Sequence, residues 1–220
     1  MRPRAVVLFA RSPWREAAAK GLPGQTAALF RKLISAWMHA GVFAGARVIV
    51  SCDDADRDAL LLIEKSIDRV MLAQRGRTFG ERLANAADDA FALGYERVIV
   101  AGIDAPPPDL EGVFAALDQH EIVAAPSTDG GVNLIGLSTP AHALLASIEI
   151  GARCVEAFPT ILDSVTDIDS PHDLARAARE QAWAGYFEAK QLAPKRVQEA
   201  ATANPVTLPP RAPPPAAIPG

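Results

Sequence analysis

Residues 97–108, RVIVAGIDAPPP, decide the fold. From Arg97 to Gly102 the chain is short, rich in valine, isoleucine and alanine, and free of polar alternation. That is the pattern of a strand covered on both faces. Strands of this kind belong to sheets that are mainly parallel and clothed by helices on either side. The run ends at Asp104, held by the prolines Pro106, Pro107 and Pro108 that follow. A carboxylate at the end of a buried strand is a good ligand for a hard cation. An equally simple reading makes it an end-of-strand residue or a cap for the helix expected from Asp109.

The same signature recurs on both sides. Ala5 to Phe9, Arg47 to Cys52, Arg69 to Ala73 and Ile122 to Ala125 all read as short buried strands. Helical spacing fills the gaps between them. Thr26 to Ala40 puts Leu29, Phe30, Leu33, Ile34 and Trp37 on one face, and Phe79 to Leu93 does so with Leu83, Ala86, Ala87, Ala90 and Phe91. Asp109 to Leu117 is a third such stretch. Alternating strand and helix predicts an α/β fold. A strand from Val132 to Leu137 follows Ala125 with no room for a helix, which predicts an antiparallel or mixed region of the sheet. A further strand is expected to end at Thr166-Asp167-Ile168-Asp169. Ser170-Pro171-His172-Asp173 then starts a helix, with Ser170 as cap and Pro171 in the first turn, running to about Lys190. Proline crowds the end of the chain. The domain is therefore expected over residues 1–192 and a disordered, partly polyproline tail over 193–220, which could dock a protein partner.

The chain has 220 residues, with Lys+Arg 22 against Asp+Glu 26 and a net charge of −4. It lacks the basic excess of a nucleic-acid binder. Cys52 and Cys154 form no C-x-x-C, which excludes a disulfide scaffold and a zinc ribbon. No run suits a membrane span, and the apolar run after Arg4 is too short for a secretory leader, so the expected location is cytoplasmic. No G-x-S-x-G, G-x-G-x-x-G or P-loop occurs.

Ligands of open α/β sheets bind beyond the carboxyl ends of the strands. Several groups fall there. The loop after the first strand carries Ala10, Arg11, Arg15 and Lys20, whose cations suit phosphates unless they form a solvated basic loop. After the third strand come Arg77, Thr78 and Gly80. Asp53, Asp54, Asp56 and Asp58 read as the acidic start of a helix and not as a metal site. Asp129-Gly130-Gly131, with Asn133 beyond, is a plain turn or a place where backbone approaches a ligand. Asp167 and Asp169, spaced i, i+2, point to one side of extended backbone and repel unless a cation lies between them. Asp169 could equally help to cap the following helix. Trp14 could stack on a base, whereas Trp37 and Trp183 read as packing residues. The four histidines fit no metal motif.

Five stretches taken in order, LFARSP (Leu8 to Pro13), RGRTFGERLANA (Arg75 to Ala86), VIVAGIDAPPPDL (Val98 to Leu110), APSTDGGVNLIGL (Ala125 to Leu137) and VTDIDSPHDL (Val165 to Leu174), resemble the DUF2064 family. This is a glycosyltransferase A-type family of the nucleotide-diphospho-sugar transferase superfamily. The resemblance covers roughly Ala5 to Ala184. It implies a three-layer α/β/α sandwich with a mixed, mainly parallel sheet. It also implies a metal, Mg²⁺ or Mn²⁺, held by Asp104 and Asp169 with Asp167 beside them. Nucleotide would meet Ala10, Arg11, Arg15, Lys20, Arg77, Thr78 and Gly80. Gly130, Gly131 and Asn133 would meet sugar or acceptor, and Asp129 would touch the sugar or take the acceptor's proton. The chain departs from the family pattern in its first loop, where Glu16-Ala17-Ala18-Ala19-Lys20-Gly21-Leu22 replaces a G-K-V-K-T-R-L type of sequence. Ile150-Gly151-Ala152 likewise replaces a W-G-T. The expected activity is metal-dependent glycosyl transfer from a nucleotide sugar. Nucleotidyl transfer with pyrophosphate release and a catalytically silent binding module are the alternatives.

Overall fold

The computed structural model describes residues 2–149, 155–164 and 166–187. The expected tail at 193–220, Ile150-Gly151-Ala152 and Cys154 lie outside the described residues.

Six strands form one sheet: β1 (Arg4–Phe9), β2 (Arg47–Cys52), β3 (Arg69–Ala73), β4 (Arg97–Ala101), β5 (Ile122–Pro126) and β6 (Val132–Leu137), in the spatial order β3-β2-β1-β4-β6-β5. The first four are parallel, with Val6 opposite Val48 and Ile99. β6 runs antiparallel to both neighbours. The short link between β5 and β6 forces that reversal, because a parallel crossover needs a dozen or more residues. The mixed, mainly parallel sheet implied by the resemblance is the one found.

Strand side chains alternate between two layers. Val6, Leu8, Val48, Val50, Ile99 and Ala101 face α2 (Ala27–Phe43), whose Phe30, Leu33, Ile34 and Trp37 are fully buried. Ala5, Val7, Ile49, Val98 and Val100 face α4 (Phe79–Ala92) with Leu83, Ala84, Ala87 and Ala90. α4 starts on a capping box, in which the Thr78 hydroxyl accepts from the Glu81 amide and the Glu81 carboxylate accepts from the Thr78 amide. The other α-helices among the described residues are α1 (Pro13–Ala19), α3 (Asp54–Leu61), α5 (Leu110–Ala116), α6 (His142–Ala146) and α7 (Pro171–Ala177). No helix among the described residues is long and apolar enough to cross a membrane.

Two expectations are corrected. Thr166–Asp169 is not a strand. The chain pairs with the sheet earlier, where Ile161 bridges to Ala124 of β5, and at Ile168 the amide donates instead to the Asp104 carbonyl at 3.0 Å. The helix from Pro171 does not reach Lys190, because the chain leaves helical geometry at Glu180 (φ −92°, ψ 140°) and buries Trp183 in the core.

The chain leaves β1 to one side for β2 and β3, then crosses back to β4 on the other side. The crevice between the carboxyl ends of β1 and β4 is thus the place where such a sheet opens to a ligand.

Candidate functional site

A cleft of ≈ 420 Å³ lies there. Ala10 borders it from the end of β1 and Asp104 from the turn after β4. Two contacts fix that turn. Trp37 Nε1 donates to the Ala105 carbonyl at 2.8 Å from within the core, and Ile168 holds the Asp104 carbonyl. Because Ile168 is fully buried, the residues on either side of it, Asp167 and Asp169, are carried to the same cleft. Asp104, Asp167 and Asp169 each offer an oxygen, and these oxygens lie within 4.8 Å of one another. Such a group could hold a metal ion.

Asp104 is oriented from β6, where Asn133 Nδ2 donates to its Oδ1 at 2.8 Å. Gly102 makes room for this pair. A Cβ there would lie 2.8 Å from Asp104 Oδ1 and 3.3 Å from Asn133 Nδ2. The other Asp104 oxygen meets Lys20 Nζ at 2.7 Å, and the same ammonium reaches Asp169 at 2.6 Å and Glu16 at 3.4 Å. Burial alone would lower the pKa of Lys20. The charges of Asp104, Glu16 and Asp169 outweigh it and hold the ammonium above its ordinary range. Asp167 goes the other way for a carboxylate. Burial first, then the charges of Asp104, Asp169 and Asp129, push it up to about 7.

The first-loop cations are all matched by acids. Arg11 faces Glu16 at 3.2 Å. Arg15 faces the fully buried Asp56 at 2.7 Å and does not border the cleft. The run at Asp53, Asp54 and Asp56 does start a helix, with Asp53 as N-cap, but Asp56 is a buried partner of Arg15 and not merely a dipole complement.

Asp129, Gly131 and Asn133 border the cleft; Gly130 does not. Asp129 Oδ1 accepts from the Ser127 hydroxyl and from the Gly131 amide, so it builds the β5–β6 turn. Arg77, Thr78 and Gly80 lie off the cleft. Arg77 donates its amide to Glu81, and Thr78 caps α4. A Cβ on Gly80 would come within 2.5–2.7 Å of the carbonyls of Ala146, Ile148 and Leu145, so this glycine serves helix packing. Trp14 is exposed over Gly24 and away from the cleft, whereas Trp37 and Trp183 are buried as expected. Burial pushes the Cys52 thiol up to about 11, which keeps it inert.

Sequence reasoning missed Gln74 and Arg82. Both border the cleft. Gln74 stands directly after the third strand, a position that was a signal in itself. Arg82 lies within a helix whose apolar face drew the reading to packing.

The sequence from 38 to 152 matches the family described as "Uncharacterized protein conserved in bacteria (DUF2064)". No curated protein matches the chain in sequence. A solved structure assigned as a nucleotide-diphospho-sugar transferase, from Desulfovibrio desulfuricans G20, is similar over 88% of this chain and 94% of that one. Its identity is 24% and its TM-score 0.69. The 4-diphosphocytidyl-2C-methyl-D-erythritol synthase from Anaerococcus prevotii is similar over 78% and 94%, at 11% identity and TM-score 0.52. At these identities the likeness is one of fold.

Proposed function

The chain belongs to the DUF2064 family, and on that footing we propose that it transfers a sugar from a nucleotide-activated donor with Mg²⁺ or Mn²⁺ held by Asp104, Asp167 and Asp169. The observation that carries this reading is the triad itself: three carboxylates with oxygens within 4.8 Å, at the crossover point of the sheet. All-oxygen donors suit a hard cation that keeps positions for substrate phosphates. The residues fit such an ion on charge as well. Burial first, then the charges of Asp104, Asp169 and Asp129, push Asp167 up to about 7, and a cation among these oxygens would offset the part that comes from charge. When bound, the cation would act as a Lewis acid on the leaving nucleoside diphosphate.

The chain's own residues do the rest. Asn133 fixes the Asp104 carboxylate. Lys20 and Arg11 lend positive charge on the phosphate side. Ala10 and Gln74 border the nucleoside side, and Gly131 lets backbone approach the sugar. Asp129 holds the turn through Oδ1 and borders the cleft, where it would touch the sugar or take the acceptor's proton. Because Arg11, Arg15 and Lys20 already face carboxylates, the first loop is a weak clamp for a triphosphate. That favours sugar transfer with release of nucleoside diphosphate over nucleotidyl transfer.

The test is thermal denaturation with Mn²⁺ across UDP, GDP, CDP, their sugars and the four NTPs, with Asp104→Asn as control. A ligand at a hundredfold over its Kd stabilises the fold by about 2.7 kcal/mol. Stabilisation that needs Mn²⁺ and is lost in Asp104→Asn supports the reading. Pyrophosphate as product would move it to nucleotidyl transfer. No response to any nucleotide would leave a silent binding module.

A further inference from the structure

The cleft has a second, chemically different half. On the α4 side its wall is built by Phe9, Phe79, Leu83, Ile135 and Ile148, with the Glu149 carboxylate beside Ile148 and the rings of Phe9 and Phe79 edge to face at 5.5 Å. These residues belong to the layer under α4, whereas Lys20 comes from the loop after α1, which packs on α2 in the other layer. One cation stands in this apolar wall, Arg82. Its Nε is out of contact with water and meets no acceptor, and among the described residues its guanidinium makes no ion pair or hydrogen bond. Arg11, Arg15 and Lys20 are each matched by a carboxylate. Arg82 is not.

A guanidinium partly withdrawn from water needs an anion or a set of acceptors. It sits in the second turn of a fourteen-residue helix whose N-terminal end lies at the cleft, and the helix dipole there also favours negative charge. The planar fork matches phosphate or carboxylate in two parallel hydrogen bonds. An anion lodged here would have its apolar part against the Phe9 and Phe79 wall.

We propose that Arg82 receives a phosphate or carboxylate group carried by the acceptor, so that the acceptor is an anion with an apolar body. The word acceptor rests on the transferase reading; the anion site does not. The metal triad and the donor phosphates would occupy the Asp104 side, and the acceptor anion the α4 side.

Phenyl phosphate and benzoate are the probes, titrated calorimetrically into the full-length protein without metal or nucleotide. Binding of phenyl phosphate alone would mark a phosphate acceptor, and of benzoate alone a carboxylate. Arg82→Gln should weaken the bound probe about 10- to 100-fold, the weight of charge-assisted hydrogen bonds. Arg82→Lys, which keeps charge but loses the fork, should fall between and serves if Arg82→Gln does not fold. Arg82→Gln should keep the Mn²⁺-dependent nucleotide response. Failure of the wild type to bind either probe at millimolar concentration overturns the proposal. So does unchanged binding in Arg82→Gln, or loss in Arg11→Gln instead. Displacement of the probe by a nucleoside diphosphate overturns the acceptor assignment, because Arg82 would then serve the donor. Failure of the donor reading is read separately, from nucleotide response in the wild type.

Discussion

Lys20 Nζ lies 2.7 Å from Asp104 Oδ2, so the chain's own ammonium stands among the carboxylates that would take a divalent cation. Two cations cannot share those oxygens without one yielding. Lys20→Met removes the ammonium and leaves Asp104, Asp167, Asp169 and Glu16 facing one another. Without metal the variant should be less stable by about 2–4 kcal/mol, below the full cost of orphaning a buried charge because Asp169 is half exposed. Mn²⁺ should restore that stability, and should bind at least tenfold more tightly than to the wild type. Chemical denaturation with and without MnCl₂ reads both. Equal Mn²⁺ affinity in the two proteins would mean that Lys20 does not compete.

The proton on Asp167 sets a pH dependence with a definite sign. Its folded pKa, about 7, lies above the ordinary value of 3.8. Between those two values the folded chain holds a proton that the unfolded chain has released. Stability from this group is therefore complete below about pH 4, declines as pH rises, and is gone above about pH 7. In metal-free protein the melting temperature should fall between pH 5 and 7.5, and Asp167→Asn should flatten that slope. A wild-type slope equal to that of the variant would show that Asp167 titrates normally.

Gly102 is where sheet and site meet most tightly. Gly102→Ala would place a methyl 2.8 Å from Asp104 Oδ1 and 3.3 Å from Asn133 Nδ2. The buried backbone of β4 cannot retreat, so the carboxylate must move. The substitution should cost about 1–3 kcal/mol, as overpacking does, and should abolish Mn²⁺-dependent stabilisation by a nucleoside diphosphate. If Gly102→Ala keeps the wild-type Mn²⁺ response, Asp104 is not held where its partners place it.

How much of this was legible depended on the distance along the chain. The strands were readable because each is an unbroken apolar run, and Asp104 because it ends one of them. Asp167 and Asp169 were readable as a pair through their spacing, although the segment carrying them is no strand. The pairing of Lys20 with Asp104 and Asp169 was not readable, since 84 and 149 positions separate them. Nothing local marks such a contact. α1 was missed because seven residues give too few turns for an apolar face to show. Arg82 was missed for the opposite reason: the face of α4 is so plainly apolar that it marked the helix for packing and nothing singled out the arginine beside it.

Thr78 and Gly80 looked like nucleotide contacts in sequence, and substitutions at the two separate that role from a structural one. Thr78→Ala removes the hydroxyl that accepts from the Glu81 amide and should cost about 1 kcal/mol. Because the side chain caps α4 and does not border the cleft, Mn²⁺-dependent nucleotide binding should survive unchanged at a temperature where both proteins are folded. Gly80→Ala is harsher, since its methyl would meet three backbone carbonyls within 2.5–2.7 Å. Carbonyls fixed in and just after α6 cannot swing aside as a long side chain would, so α4 and α6 must separate. A loss of about 1–3 kcal/mol is expected. Ile148 and Arg82 border the cleft from these two segments, so phenyl phosphate binding should weaken along with stability. In Thr78→Ala it should not. Weakened nucleotide binding in Thr78→Ala, with its fold intact, would return this loop to the nucleotide site.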